Sequence, residues 1–441
     1  MVKYDSYKES GVEWIGEIPS EWSNIKVKNI YTFGKGKGLS KSDIVDNGKY
    51  ECLLYGELFT RLGSLNVVDD NFNKTNKLEN VISEGNELLI PGSTTTTGID
   101  LCNCKTLNKS GIILGGDIII LKPYKSIVKN EFFSYFINYV TKPEFEMGGR
   151  GVTIFHIYPK QIREVSVVLP TLQEQNQIVE FLDTKTSEID TLIEKTQQKI
   201  QLLKEQRTSL INHIVTKGLN PNVELKDSGV EWIREIPSNW KSSKLGFYTT
   251  KIGSGSTPRG GSEIYVDSGV PFIRSQNVHF DGLKLDNISH ITTEIHNSMK
   301  GSTVLKGDVL LNITGGSIGR CCVVNIDIEM NTNQHVSIIR TTKNLFNIFL
   351  NYILNSDLGQ SQVIYNISGG NREGLTIEGI RNFRIPLPPI SEQQQIVEFL
   401  DKKTNLIDTT ISREQKRIEL LKEYRQSLIS NVVTGKIKVC D

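Results

Sequence analysis

Two patterns of apolar positions alternate along the 441 residues. From Val179 to Ile214 the spacing is that of a helix. Leu182, Ile189, Thr196, Leu203 and Leu210 occupy heptad position d, and Val179, Thr186, Ile193, Ile200, Arg207 and Ile214 occupy position a. Shifted by 218 residues, Leu400, Ile407, Glu414, Leu421 and Leu428 stand at d, with Val397, Thr404, Ile411, Ile418, Arg425 and Val432 at a. Neither run contains Pro or Gly. Pro170 and Pro388-Pro389 precede them, Gly218 and Gly435 follow, and Ser391 and Gln394 have the spacing of a capping box. About 45 residues rising 1.5 Å each predict rods of about 70 Å. Each rod has one apolar stripe to bury, so the two are expected to pack on each other as an antiparallel coiled coil. Polar residues in the seam are either solvated flaws or register-setting contacts, and antiparallel packing brings Arg207 toward the region of Glu414.

The segments before the rods, 23–170 and 241–388, follow a different pattern. Leu88 to Ile90, Ile118 to Leu121, Val165 to Leu169, Val309 to Leu311 and Val336 to Ile339 are short apolar runs bounded by Gly, Asn and Asp, which predicts strands. Glu131 to Val140 and Leu345 to Asn355 have helical spacing. The chain therefore reads as α+β, with two mixed bodies each followed by a long helix. Its segments are 1–170, 171–219, 220–388 and 389–441.

The second half repeats the first. Glu13-Trp14-Ile15-Gly16-Glu17-Ile18-Pro19-Ser20-Glu21-Trp22 returns as Glu231-Trp232-Ile233-Arg234-Glu235-Ile236-Pro237-Ser238-Asn239-Trp240, again 218 residues on. Between 173–219 and 391–437, 27 of 47 positions are identical, so the rods are copies of one unit. The bodies match only at anchors such as Gly85-Asn86-Glu87-Leu88-Leu89 and Gly307-Asp308-Val309-Leu310-Leu311. One fold carrying two different surfaces is the expectation.

Composition narrows the chemistry. Hydrophobic content of 37%, charged content of 23% and a net charge of +1 neither demand nor exclude nucleic acid. Six cysteines without a disulfide-like framework, a polar stretch from Met1 to Ser10 and no long apolar segment point to a cytoplasmic protein with no membrane partner. Gly34-Lys35-Gly36-Lys37-Gly38 lacks the Lys-Ser/Thr that completes a phosphate loop. No Asn/Asp-Pro-Pro-aromatic tetrapeptide is present. Cys102-x-Cys104 and Cys321-Cys322 lack zinc-site spacing, and His279, His290, His296 and His335 show no ligand order and read as ordinary histidines. The chain reads as non-catalytic, with no metal and no cofactor of its own.

A body, then Pro-Leu-Pro-Pro-Ile-Ser-Glu-Gln-Gln-Gln-Ile (386–396), then a long helix, with the whole order used twice, resembles the specificity subunits of type I restriction–modification enzymes. The two Trp-containing openings resemble that family's entry to each target recognition domain. Asn312-Ile313-Thr314-Gly315-Gly316-Ser317-Ile318-Gly319-Arg320 and Asn333-Gln334 resemble recognition-domain motifs, whereas the first body has Pro91-Gly92-Ser93-Thr94-Thr95-Thr96-Thr97-Gly98 in place of the former. The resemblance implies that each body reads one half of a split double-stranded DNA target and that the helices act as a ruler for the gap. It also implies that two methyltransferase subunits dock on the helices and that restriction subunits join through them. S-adenosylmethionine, ATP and Mg then belong to those partners. The rival readings are a tandem-repeat scaffold that binds no DNA and an enzyme fused to its own reader; the missing motifs weaken the latter.

Charge placement suggests the DNA contacts. Ser23 to Ser42 carries Lys26, Lys28, Lys35, Lys37 and Lys41 before the first acid, Asp43. Lys241 to Gly261 carries Lys241, Lys244, Lys251 and Arg259 before Glu263. Interleaved glycines are expected to let backbone amides approach phosphates. Arg150 and Arg372 stand on glycine-rich loops suited to guanine or phosphate. Tyr55, Arg61, Thr94, Thr95, Thr257, Arg274, Asn277, Asn312, Thr314, Arg320 and Gln334 offer polar tips for base edges, as do Gln276, Thr96 and Thr97.

Overall fold

The computed structural model describes residues 2–60, 71–151, 153–258, 260, 264–368 and 374–439. It divides into two compact units, 1–196 with 416–441 and 197–415. Each unit combines one body with a portion of both long helices, Leu172–Lys217 and Ile390–Val433.

In the first unit, a four-stranded sheet runs in the order Lys105–Leu107, Glu87–Pro91, Ile118–Pro123, Tyr31–Lys35. A second sheet has the order Asn73–Thr75, Tyr50–Leu53, Ser110–Leu114, Ile82–Glu84, with its two central strands parallel. Side chains alternate across a strand. Ile118 and Ile120 therefore pack against the second sheet beside Leu53 and Leu114, while Ile119 and Leu121 pack with Phe132, Phe133 and Phe136 of helix Asn130–Tyr139. Burial of both faces explains why this strand is apolar without interruption.

The second unit repeats the arrangement. Thr249–Ser254, Val336–Thr341, Val309–Asn312 and Cys321–Val323 form one sheet, and Ser289–Ile291, Val270–Ile273, Met330–Thr332 and Thr303–Val304 form the other, again with a parallel central pair. Val336 and Ile338 face one core cluster and Ile339 the other. The matched anchors have a local cause. Buried Glu87 accepts the amides of Gly85 and Asn86 at 3.0 Å, and buried Asp308 accepts the Leu305 amide at 2.8 Å. Each acid closes the turn into its central strand.

Each repeated opening forms a hairpin, Tyr7–Glu9 with Glu17–Pro19 and Leu225–Asp227 with Glu235–Pro237, and Trp22 and Trp240 are buried behind them. The ends of the long helices supply the packing surface. Gly435 (φ +73) lies under Pro19 and Trp22 where a Cβ would clash, and Gly218 (φ +76) lies under Trp240. These glycines end the helices in the left-handed conformation that L side chains avoid.

All the a and d positions named above are buried or half-buried. Within the first unit the helices run antiparallel, with Trp22 linking the Glu174 end to Gly435 while Asp190 meets Arg425. Within the second, Lys199 meets Glu414 and Arg207 meets Asp408. Arg207 thus pairs with Asp408 rather than approaching Glu414, whose cation is Lys199. The capping box expected at Ser391 is also corrected. The second helix begins at Ile390, so Ser391 is already inside it. The box forms instead on the first helix, where Thr171 and Glu174 exchange hydrogen bonds. Among the described residues no helix is long and apolar enough to cross a membrane.

Candidate nucleic-acid interface

In the first body the chain leaves strand Tyr31–Lys35 through Gly36, which runs so close to the Gly115 carbonyl that a side chain could not fit. The Gly36 amide donates to Ile118 O (2.8 Å) and the Lys37 amide to Leu114 O (3.2 Å). At the matching place Gly255 and Ser256 donate to Val336 O and Thr332 O, both at 3.1 Å. The expectation of glycine amides open to phosphates is therefore corrected at these four positions: the glycines permit close packing of two backbone segments, and the amides are already satisfied.

The side chains of this loop remain available. Lys35, Lys37, Lys41 and Tyr55 line one cleft of about 1140 Å³, together with Ser40, Asn73 and Asp117. A short turn holds its rim, because Asp43 accepts both the amide and the hydroxyl of Ser40 at 2.8 Å. Those bonds keep the Asp43 carboxyl below the usual carboxylate range. Lys35 lies 3.1 Å from Asp117, but both side chains are well exposed and the pair is worth less than about 1 kcal/mol.

Asp117 links the cleft to the threonine loop. Its second carboxylate oxygen accepts the Ser93 hydroxyl at 3.2 Å, and its own backbone is left-handed at φ 60°. Ser93–Thr94 pairs with Phe155–His156, and His156 exchanges both backbone hydrogen bonds with Arg150. Lys35, the Thr94–Thr95 loop and Arg150 are thereby connected through one short chain of contacts. Arg150 and Thr95 are exposed, whereas Thr94 is buried with its hydroxyl 2.8 Å from that of Thr96.

In the second body Thr257 donates to Gln334 Oε1, Gln334 Nε2 lies 3.2 Å from His335 Nε2, and His335 Nδ1 lies 2.5 Å from Thr314 Oγ1. Three sequence candidates are joined through a histidine that sequence reasoning set aside. Asn277 and Asn312 are buried. Asn277 bonds the Arg274 amide and Lys284 carbonyl, and Asn312 bonds Ser275 O and Ser317 Oγ. Both therefore shape loops from inside. Arg274 lies over the Tyr265 ring at 5.7 Å, and Arg320 is half-buried, its carbonyl accepting the Asn312 amide.

Lys251 donates to Thr303 O at 3.3 Å, and burial, with nearby Arg340, pushes its ammonium below the ordinary lysine range. Lys26 and Lys244 lie on the strands that close each body, bonded to Ser166 and Asn382 at 2.7 Å. These three lysines are engaged within their own bodies. Arg61, Arg259 and Arg372 fall outside the described residues. The signal for Asp117 and His335 was present in the sequence: each immediately precedes the apolar run of a central strand, 218 residues apart.

A family model described as the type I restriction modification DNA specificity domain matches residues 19–202 and again residues 237–421. The chain belongs to this family. It is a type I specificity subunit with two DNA specificity domains, and the scaffold alternative finds no support. It is 24% identical over 430 residues to the MjaVIII specificity subunit of Methanocaldococcus jannaschii, a match covering 96% of this chain and 94% of that protein. The EcoBI specificity subunit of Escherichia coli is 26% identical over 298 residues, covering 65% and 61%. The HsdS subunit from Thermoanaerobacter tengcongensis matches in fold with a TM-score of 0.57 at 15% identity, covering 95% of this chain and 98% of that one. A chain from a structure of type I R-M complex assembly and conformational transition matches with a TM-score of 0.73 at 15% identity, covering 95% and 99%. Specificity subunits are the recognition parts of such complexes and do not carry out the chemistry.

Among the described residues, no group of three or more His, Cys, Asp or Glu side chains is placed to hold a metal ion.

Proposed function

We propose that each body reads one half of a bipartite double-stranded DNA target, and that the two long helices recruit two methyltransferase subunits and fix the gap between half-sites. The observation that carries this reading is the repetition of sheet order and strand direction in both bodies while the side chains at matching positions differ. One fold with two sets of tips suits two different half-sites. Lys35, Lys37 and Lys41 supply cations for phosphates in the first body, and Thr95 and Arg150 supply exposed polar tips. In the second body Thr257, Thr314 and Gln334 form a polar edge of the kind base reading needs. The partners supply the reactions: methylation of adenine N6 from S-adenosylmethionine, and cleavage driven by ATP and Mg through restriction subunits docked on the methyltransferases. A cytoplasmic location suits work on cellular DNA.

Partner stoichiometry follows from the repeat. Leu202 is 65% exposed and Leu420, its equivalent 218 residues on, is 53% exposed. Matched exposed leucines on copied helices suit two copies of one partner. Native mass spectrometry of the complex tests this. The expected assembly has two methyltransferases per chain, falling to one in Leu202→Asp or Leu420→Asp; saturation at one-to-one in the unsubstituted complex contradicts it.

A further inference from the structure

Asp117 and His335 are the same position in two bodies. Each immediately precedes a central strand, Ile118–Pro123 or Val336–Thr341. The Asp117 carbonyl accepts the Gly92 amide at 2.6 Å, and the His335 carbonyl accepts the Ile313 amide at 3.0 Å. The carbonyls of Gly92 and Ile313 accept Ile157 and Leu375 amides in turn, at 3.0 and 2.8 Å. Each side chain then bonds the hydroxyl that follows, Ser93 or Thr314. The backbone frame and hydroxyl partner are repeated, but the side chain between them is not.

The difference has chemical consequences. An ionised carboxylate only accepts, so Asp117 holds the Ser93 hydroxyl and the Lys35 ammonium together. A neutral imidazole accepts at one nitrogen and donates at the other. With the Gln334 amide oriented so that Nε2 faces His335 Nε2, Nδ1 is the ring nitrogen left to donate to Thr314. With Oε1 held by Thr257, the Gln334 amide is fixed at both ends. Its remaining donor and acceptor then have a fixed order, which is what bidentate reading of adenine requires.

We propose that Asp117 and His335 are equivalent positioning residues, one per body, that set which polar tips face the DNA and in what sense. The proposal rests on the reading of each body as a half-site reader. It places the sequence preference of the second body partly in a residue that need not touch a base.

The test uses the complex assembled with its methyltransferase, and duplexes carrying every single base-pair change in the methylated site of the unsubstituted enzyme. Asparagine reproduces Nδ1 of histidine and glutamine reproduces Nε2. His335→Ala and His335→Asn are therefore expected to reduce discrimination at one base pair of the second half-site by on the order of tenfold. His335→Gln retains most of it. First-half discrimination and affinity for non-specific duplex stay unchanged, while Asp117→Asn relaxes the first half alone. Unchanged second-half discrimination in His335→Ala overturns the proposal, as does an equal loss in both halves. Absence of any sequence preference in the unsubstituted complex overturns the half-site reading itself and the proposal with it.

Discussion

Arg207 donates through Nε to the Asp408 carboxylate at 2.9 Å, joining the two long helices in the second unit. The pair recurs in the first unit with the roles of the helices exchanged, where Arg425 meets Asp190, also at 2.9 Å. Each residue is 218 positions from its counterpart, so one duplicated Arg and one duplicated Asp provide both contacts. An antiparallel pairing of copied helices makes this possible, because the arginine of each copy reaches the aspartate of the other. An arginine at an a position costs apolar packing, and its role here is to pair with an aspartate of the other helix.

Charge exchange tests that role. Arg207→Glu should lower the melting temperature, since it faces Asp408 with a like charge, and Arg207→Glu with Asp408→Arg should restore most of the loss. Both side chains are more than a third exposed, so the pair itself contributes no more than about 1 kcal/mol. Arg425 is better buried and also bonds the Tyr139 hydroxyl at 3.4 Å. Arg425→Ala should therefore cost more than Arg207→Ala in thermal denaturation.

Two buried glutamines tie bodies to helices. Gln175 donates to Ile127 O and Pro170 O and accepts the Lys129 amide, and Gln393 does the same with Asn344 O, Pro388 O and the Phe346 amide. Replacing either with Leu removes three hydrogen bonds to backbone groups, of which only the one to Pro170 O or Pro388 O is fully buried, so a loss of about 1–3 kcal/mol is expected. Denaturant unfolding measures the loss. Hydrogen exchange should quicken at Lys129 in the Gln175 variant and at Phe346 in the Gln393 variant.

Alkaline pH should destabilise the fold. Burial pushes Cys102 up to about 11 and Cys322 to about 12, and raises Cys104 and Cys321 as well. The unfolded chain gives up these protons near pH 9 while the folded chain keeps them. The stabilisation is thus complete below pH 9 and is lost as pH rises through the folded values, by up to about 1.4 kcal/mol per pH unit per thiol. Lys105 acts oppositely, because burial lowers its ammonium to about 8 and the unfolded state then holds the extra proton up to about 10.5. Four thiols outweigh one amine. Melting temperature under reducing conditions should fall between pH 9 and 11; a flat profile contradicts this.

The helices and their buried seam were legible in the sequence, since a heptad pattern such as Val179 to Ile214 is periodic and local, whereas the cap at Ser391 and the partner of Arg207 were not. The central strands were legible for a similar reason: Ile118 to Leu121 is buried on both faces and carries no polar interruption. That the bodies share one fold was legible from anchors such as Gly85 to Leu89 and Gly307 to Leu311, but the match of Asp117 with His335 was not read, because it lies in hydrogen-bond order while the residues themselves differ. Candidate site residues chosen by type divided on burial. Lys35, Lys37, Lys41 and Tyr55 share one cleft, whereas Asn277 and Asn312 are polar tips turned to internal hydrogen bonds. Burial at that level depends on loop paths set by distant strands, which composition and spacing do not encode.

If the two bodies read separate halves of one target, exchanging one body leaves the other half-site untouched. The most direct test is methylome sequencing of a strain whose chain carries another family member's body in place of residues 241–388, with assembly checked by native mass spectrometry. One half of the methylated motif should change while the other half and the gap persist. A change in both halves, in a complex that still assembles, would mean that recognition is a joint property of the two bodies.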